Sequence, residues 1–247
     1  MSDQLWGWSS TLVTLADSPV LAIALTLGAF QTGRWVFHRL GSPIWAPPVL
    51  LSAMVLSALL ALLAIDFRDY RSGAQWLTVL LGPATVALAV PLYQQMHHIR
   101  ALWRPILCTL PLAATLAAVY AIVIAGLLGA SPQVLASLAP KSVTAPIAIG
   151  ITAQLGGSVS LMMGGLLITG VVATLFVEVL ARSLAVSDER VLGFALGLNG
   201  HAIGTARAFD LGPTAGAFAS LGMGLTGVFT ALILPLAFRL LGAWTGG

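Results

Sequence analysis

The sequence predicts an all-α membrane protein: a single domain over 1–247, built as a polytopic helical bundle of seven or eight membrane segments, some re-entrant or broken. Three observations carry this. Of 247 residues, 58% are hydrophobic and only 8% charged. A soluble domain carries about 25% charged residues, so this chain has too little charge to face water all round. Apolar runs long enough for a bilayer, about 20 residues each, recur from end to end. The runs are continuous, whereas an outer-membrane barrel shows strands of about 10 residues that alternate apolar and polar character.

The first run covers 18–36 and ends at Arg34, His38 and Arg39. The second, 44–65, opens with Pro47 and Pro48, and proline suits a first helical turn. A short loop with Asp66, Arg68, Asp69 and Arg71 follows, its charges cancelling. The third run, 74–95, is interrupted by Gly82-Pro83 and by Pro91, and is followed by His97, His98, Arg100 and Arg104. The fourth, 105–129, carries Pro111. The stretch 131–156 is apolar but holds Pro132, Pro140 and Pro146 and ends at Gly156-Gly157. An interior proline costs about 3 kcal/mol in a helix, so this stretch reads as re-entrant or broken. Such backbone is tolerated at membrane depth only where protein or a water-filled cavity surrounds it. A plain span over 158–182 follows. The short stretch 190–206 is spaced by Gly193, Gly197, Gly200 and Gly204, and a second re-entrant or discontinuous helix is expected near 196–207. In the last run, 213–240, Gly222, Gly224 and Gly227 suit close helix packing.

Orientation follows the Arg and Lys balance of short loops. The basic loops after runs one and three belong in the cytoplasm, which puts the N-terminus outside. If 131–156 returns on the side it entered, Arg182, Arg190 and Arg239 also fall inside. The first residues, MSDQLWGWSS, lack the basic start of a cleavable signal peptide. An internal echo relates LGPATVALAVP at 81–91 to LAPKSVTAP at 138–146, with Pro83 matching Pro140. Paired, interrupted segments of this kind mark transporter binding sites; a chance match in so biased a composition reads equally well.

The polar residues are few enough to weigh singly. Lys141, in KSVTAPIA, is the only lysine in the chain and the only ionisable residue of Asp, Glu, Arg, Lys or His type between Arg104 and Glu178. An ionisable group at the bilayer centre costs about 2.5–3.5 kcal/mol on insertion scales. It reads as an attractive charge for a small organic anion, against snorkelling to an interface or pairing with Glu178. Ser142 and Thr144 read as hydrogen-bond donors to a carboxylate or as caps of a half-helix starting after Pro140. A half-helix start presents N–H groups and a positive dipole end to an anion. The second constellation is LNGHAIGTARAFD, 198–210. If helical, His201 and Thr205 share a face, with Asn199 leaning to another. Gly200 and Gly204 permit close backbone approach or an unwound turn. Arg207 pairs with Asp210 or meets a ligand. Tyr93, Gln94 and Gln95 read as interfacial anchors, and Glu178 as a snorkelling or helix-pairing residue.

Other classes are disfavoured. The net charge of +3 comes from residues at the edges of apolar runs, so it signals orientation, not nucleic-acid binding. The single cysteine, Cys108, reads as a buried, inert thiol. The four histidines lack metal-ligand spacing, no P-loop is present, and no serine lies in a nucleophile elbow. No enzyme, metal or cofactor is expected.

The motifs KSVTAPIAIGITAQLGG, HAIGTARAF, GAFASLGMGL and LLGPATVALAVPLYQQ resemble those of the LrgB family over roughly 20–240. That family holds the bacterial LrgB and CidB proteins and the C-terminal part of the plastid glycolate/glycerate translocator. Two departures are visible: Ala145 stands where a second threonine is expected, and WAPP at 45–48 replaces an Asn-Pro-type start. The resemblance implies two functions. Bacterial members are holin- or antiholin-like modulators of murein hydrolases and lysis, acting beside a small LrgA or CidA partner. The plastid member exchanges small 2-hydroxy acids, and some bacterial systems are linked to pyruvate uptake. A holin needs simple helices that oligomerise. A buried lysine, amide, imidazole and hydroxyls on broken helices fit a midplane anion site better. The expected reading is therefore a carrier of small monocarboxylates, dimeric, in the inner membrane.

Overall fold

A computed structural model describes residues 18–43, 45–87 and 89–245, and all its regular structure among them is helical. The chain divides into two compact units, 1–87 and 88–247.

In the first unit, α1 (Pro19–Arg39) and α2 (Pro48–Leu62) pack antiparallel. Both begin with proline in the first turn, where its missing N–H costs nothing. Gly33 lets the helices approach: a Cβ there would lie 2.6 Å from the Ser52 backbone nitrogen. The expected charged loop at 66–71 is instead a helix start. Asp66 accepts a bond from the Arg68 N–H at 2.7 Å and caps α3 (Phe67–Val79). This is the ordinary work of an N-cap aspartate. Tyr70 on α3 meets Thr26 of α1 through a 2.7 Å hydroxyl pair. The short helix α4 (Leu81–Ala87) carries Pro83 near its start.

The second unit begins with α5 (Ala89–Gln94), which contains Pro91, and α6 (Met96–Ala101). The long helix α7 (Trp103–Leu127) buries Ile106, Leu110, Ala114, Ala117, Ala121 and Ala125, one stripe at helical spacing. Cys108 falls on the opposite face and is exposed, not buried as expected. Two short helices follow, α8 (Pro132–Leu138) and α9 (Ala145–Gln154), then the long α10 (Val159–Ser183), α11 (Glu189–Leu211) and α12 (Pro213–Thr245). Among the described residues, four helical stretches are long and apolar enough to cross a membrane: α1, α7, α10 and 213–240 of α12. The chain is thus a helical membrane protein.

Two segments reverse inside this unit. At 7 and 10 residues, α8 and α9 are each too short to span, about 10 and 15 Å. After α9, Ser158 donates its N–H to the Ser137 hydroxyl at 2.7 Å, so the chain has come back to α8. The stretch 131–157 is therefore a helical hairpin turning through Pro140–Thr144. The expectation of a break here holds, and proline chemistry explains it.

The reversal within α11 is sharper. A straight helix of 23 residues would separate its ends by about 34 Å. Instead, a Cβ on Gly212 would lie 3.0 Å from the Glu189 carboxylate, and one on Gly204 would run into the Leu196 carbonyl. The chain turns back at His201, whose φ of 41° and ψ of −130° are not helical. So 189–200 enters, 202–211 returns, and α12 then runs beside the first arm, Gly193 against Ala215 and Gly197 against Ala219.

Candidate functional site

The two hairpin tips meet on the same stretch of α10. From the first, Val143 packs with Met162 and Leu166 in a buried cluster, and a Cβ on Gly165 would lie 3.9 Å from the Lys141 Cβ. From the second, the His201 ring covers Gly170, where a Cβ would lie 2.7 Å from Cε1. Its Nε2 lies 2.9 Å from the Leu166 carbonyl. A carbonyl only accepts, so Nε2 carries the proton. The other ring nitrogen, Nδ1, is buried and has no partner among the described residues.

Lys141 is partly buried in the first tip. Its ammonium donates to the Tyr120 hydroxyl of α7 at 2.7 Å and to the Ser142 hydroxyl at 3.3 Å. It also lies 4.4 Å from the Tyr120 ring centre, a cation–π contact. The alternative weighed for it, pairing with Glu178, does not form: that carboxylate is held by Arg207 and Arg182. Ser142 is buried. Thr144 occupies the cap position of α9, but its side chain makes no cap bond; its carbonyl receives the Ile147 and Ala148 N–H groups. The helix starts at Ala145, with Pro146 in its first turn, not directly after Pro140.

The remaining candidates of the second constellation are held by the hairpin itself. Asn199 donates to the Ala195 carbonyl at 3.0 Å, leaving its own carbonyl oxygen free of that bond. Thr205 donates to the His201 carbonyl at 2.8 Å and lies 3.7 Å from the Met223 sulfur. Gly200 sits against the Thr174 hydroxyl, and Gly204 against the Leu196 backbone. Arg207 does not face the tips. Its Nε donates to Glu178 at 2.6 Å, and Asp210 is a distant second partner at 3.8 Å. Glu178 also holds Arg182 at 3.6 Å, so it is the helix-pairing residue expected of it. An open cavity of about 360 Å³ beside Glu178, Arg182 and Arg207 is lined mainly by the α10–α11 corner. At that corner Asp188 caps α11 by accepting from the Arg190 N–H at 2.9 Å. The Arg190 guanidinium, and then its backbone N–H, hold the Asp188 carboxyl down to about 2.

The sequence model of the LrgB-like family matches residues 26–240. The chain belongs to this family. Among its relatives, an uncharacterised Haemophilus influenzae protein is 33% identical over 217 residues, covering 88% of this chain and 94% of that protein. The uncharacterised protein YxaC of Bacillus subtilis is 32% identical over the same length. The antiholin-like protein LrgB of Bacillus cereus is 27% identical over 227 residues, covering 91% of this chain and 98% of its own. No solved structure matches.

Two features of this LrgB-like site had no signal in the sequence. Tyr120, the partner of Lys141, is one tyrosine in an otherwise plain apolar run. The Glu178–Arg207 pair joins residues 29 apart on different helices. The Pro83 and Pro140 echo also takes two forms: Pro83 lies within a helix, while Pro140 lies in the turn between two.

Proposed function

We propose that this chain is a secondary carrier of small monocarboxylates, of the glycolate, glycerate, lactate and pyruvate class, in the inner membrane. One observation supports it above the rest: two re-entrant tips, one bearing Lys141 and the other His201, converge on α10. Irregular backbone and ionisable groups at membrane depth are costly and mark ion and substrate pathways. Carriers place such interrupted segments around a site near the midplane. In this reading Lys141 supplies the charge. Ser142, Thr144, Asn199, His201 and Thr205 supply hydrogen bonds, and Arg207, through Glu178, locks the second hairpin to α10. The two hairpins, the four long spans and the second and third apolar runs of the sequence make eight membrane segments. A dimer supplies the fixed scaffold against which the hairpins move.

A second reading is favoured by the names of relatives such as the antiholin-like LrgB of Bacillus cereus. In it the chain regulates murein hydrolases and lysis through a small LrgA- or CidA-type membrane partner, and transports nothing. That name supports the regulator; the hairpin geometry supports the carrier. Reconstituted vesicles separate them. Saturable uptake of labelled glycolate or pyruvate, lost in Lys141→Ala, is expected of a carrier. No uptake under any imposed gradient, with altered hydrolase release from cells lacking the chain, would establish the regulator.

A further inference from the structure

We infer that His201 is the residue through which anion binding and proton binding are linked, so that the anion crosses with a proton. The inference rests on the carrier reading. It starts from the second hairpin's tip, where a 1% exposed imidazole has one nitrogen committed and the other idle. Nε2–H donates to the Leu166 carbonyl at 2.9 Å, which fixes both the tautomer and the ring orientation. Nδ1 is then a lone pair in a dry place with nothing to accept. The backbone at this residue is held at φ 41°, a conformation a side chain other than glycine's rarely adopts. Such strain gathers where structure serves a site.

Consider the ring with its second proton on and the site empty. Nδ1–H then has no acceptor among the described residues, and a second positive charge stands on the stretch of α10, Gly165 to Gly170, against which Lys141 also packs. Now bring a carboxylate between the two tips. It accepts from Nδ1–H and from the Lys141 ammonium together, and one negative charge offsets two positive ones. Each partner thus makes the other's binding more favourable, and linkage makes this effect equal in both directions. The proton comes from water on the entry side, rides on Nδ1, and returns to water with the anion on the other side; no covalent bond to carbon changes.

The neighbours do not supply another route for that proton. The turn between α8 and α9 brings Lys141. The helix α10 brings Leu166, Gly170 and Thr174 toward the tip, and its one carboxylate, Glu178, is engaged by Arg207 and Arg182. The helix α12 brings Met223, by way of Thr205. On the hairpin itself the nearest charge is Arg207.

The test uses the full chain in phosphatidylethanolamine–phosphatidylglycerol vesicles with a pH dye inside, and glycolate and pyruvate as probes. Uptake should acidify the lumen beyond protein-free vesicles, by one proton per anion. The KM should fall about tenfold for each unit drop in external pH, where the empty ring is neutral. Pyruvate has no hydroxyl, so its equal proton uptake would show that a proton, not a substrate hydroxyl, fills Nδ1. His201→Gln should abolish the acidification and flatten the pH dependence; the wild-type flux is read independently if that variant does not fold. Glycolate uptake with no lumen signal, or acidification with glycolate alone, would overturn the inference while leaving the carrier standing. No uptake of either probe at any pH would overturn both.

Discussion

Gly197→Ala and Gly224→Ala are the same chemical change on neighbouring helices, and the structure gives them opposite signs. At Gly197 a new Cβ would sit 2.5 Å from the Ala219 carbonyl carbon and 2.6 Å from its Cα, against rigid helix backbone. Ordinary carbon contacts lie near 3.5–4.0 Å, so α11 and α12 must part by about 1 Å. Overpacking of this kind costs about 1–3 kcal/mol, occasionally more. Alanine's helix propensity returns up to about 1 kcal/mol. Because the clash is with backbone, the upper end of that range applies, so the net expected loss is about 2 kcal/mol, or a Tm lower by about 4–8 °C for a chain this size. At Gly224 nothing lies within 4 Å, so only the propensity gain remains and Tm should hold or rise by about 1–3 °C. Thermal unfolding of both variants in one detergent is the assay. A Gly197→Ala protein as stable as wild type would refute the packing of α12 on the first hairpin arm.

Three further outcomes follow from single contacts. Ser137 is fully buried, donates to the Gln133 carbonyl at 2.6 Å and accepts from the Ser158 N–H at 2.7 Å. Ser137→Ala should cost about 1–3 kcal/mol by orphaning that N–H; an unchanged Tm would deny the closed first hairpin. Glu178→Gln and Arg207→Ala should show a coupling of about 0.5–3 kcal/mol in a double-mutant cycle, and strict additivity would mean the pair does not form in the membrane. Asp188 titrates at about 2. Its depressed value means the cap's contribution is present above the ordinary carboxylate value of about 3.9 and is lost as pH falls through about 2. Arg190→Ala should bring its carboxyl resonance back toward the ordinary midpoint, and an unmoved titration curve would contradict the ion pair.

The two hairpins were not equally legible. Pro132, Pro140 and Pro146 cannot sit in one helix, so the first announces itself in composition. The second is spelled with Gly193, Gly197, Gly200 and Gly204, the same small-residue spacing that straight helices use for close packing. The expected break near 196–207 is there, directly after Asn199-Gly200, but the residue that takes the non-helical φ is His201 and not one of the glycines. The i, i+4 relation of His201 and Thr205 survives as a bond from the Thr205 hydroxyl to the His201 carbonyl at the start of the returning arm. Gly222 and Gly224 show the limit of spacing arguments: a Cβ on the first would lie 2.8 Å from the Phe194 carbonyl oxygen, and one on the second would meet nothing within 4 Å. The ion pair of Arg207 was equally hidden, because its partner is set by tertiary packing and not by neighbours in the chain.

The anion site is tested most directly by a distance. Lys141 is the chain's only lysine, so 15Nζ-lysine labelling marks one atom. Rotational-echo dipolar recoupling between it and carboxyl-13C glycolate in vesicles should give about 3.5 Å, as a charge-assisted hydrogen bond requires. Saturating glycolate that produces no dephasing at that nitrogen would contradict a carboxylate held between the hairpin tips.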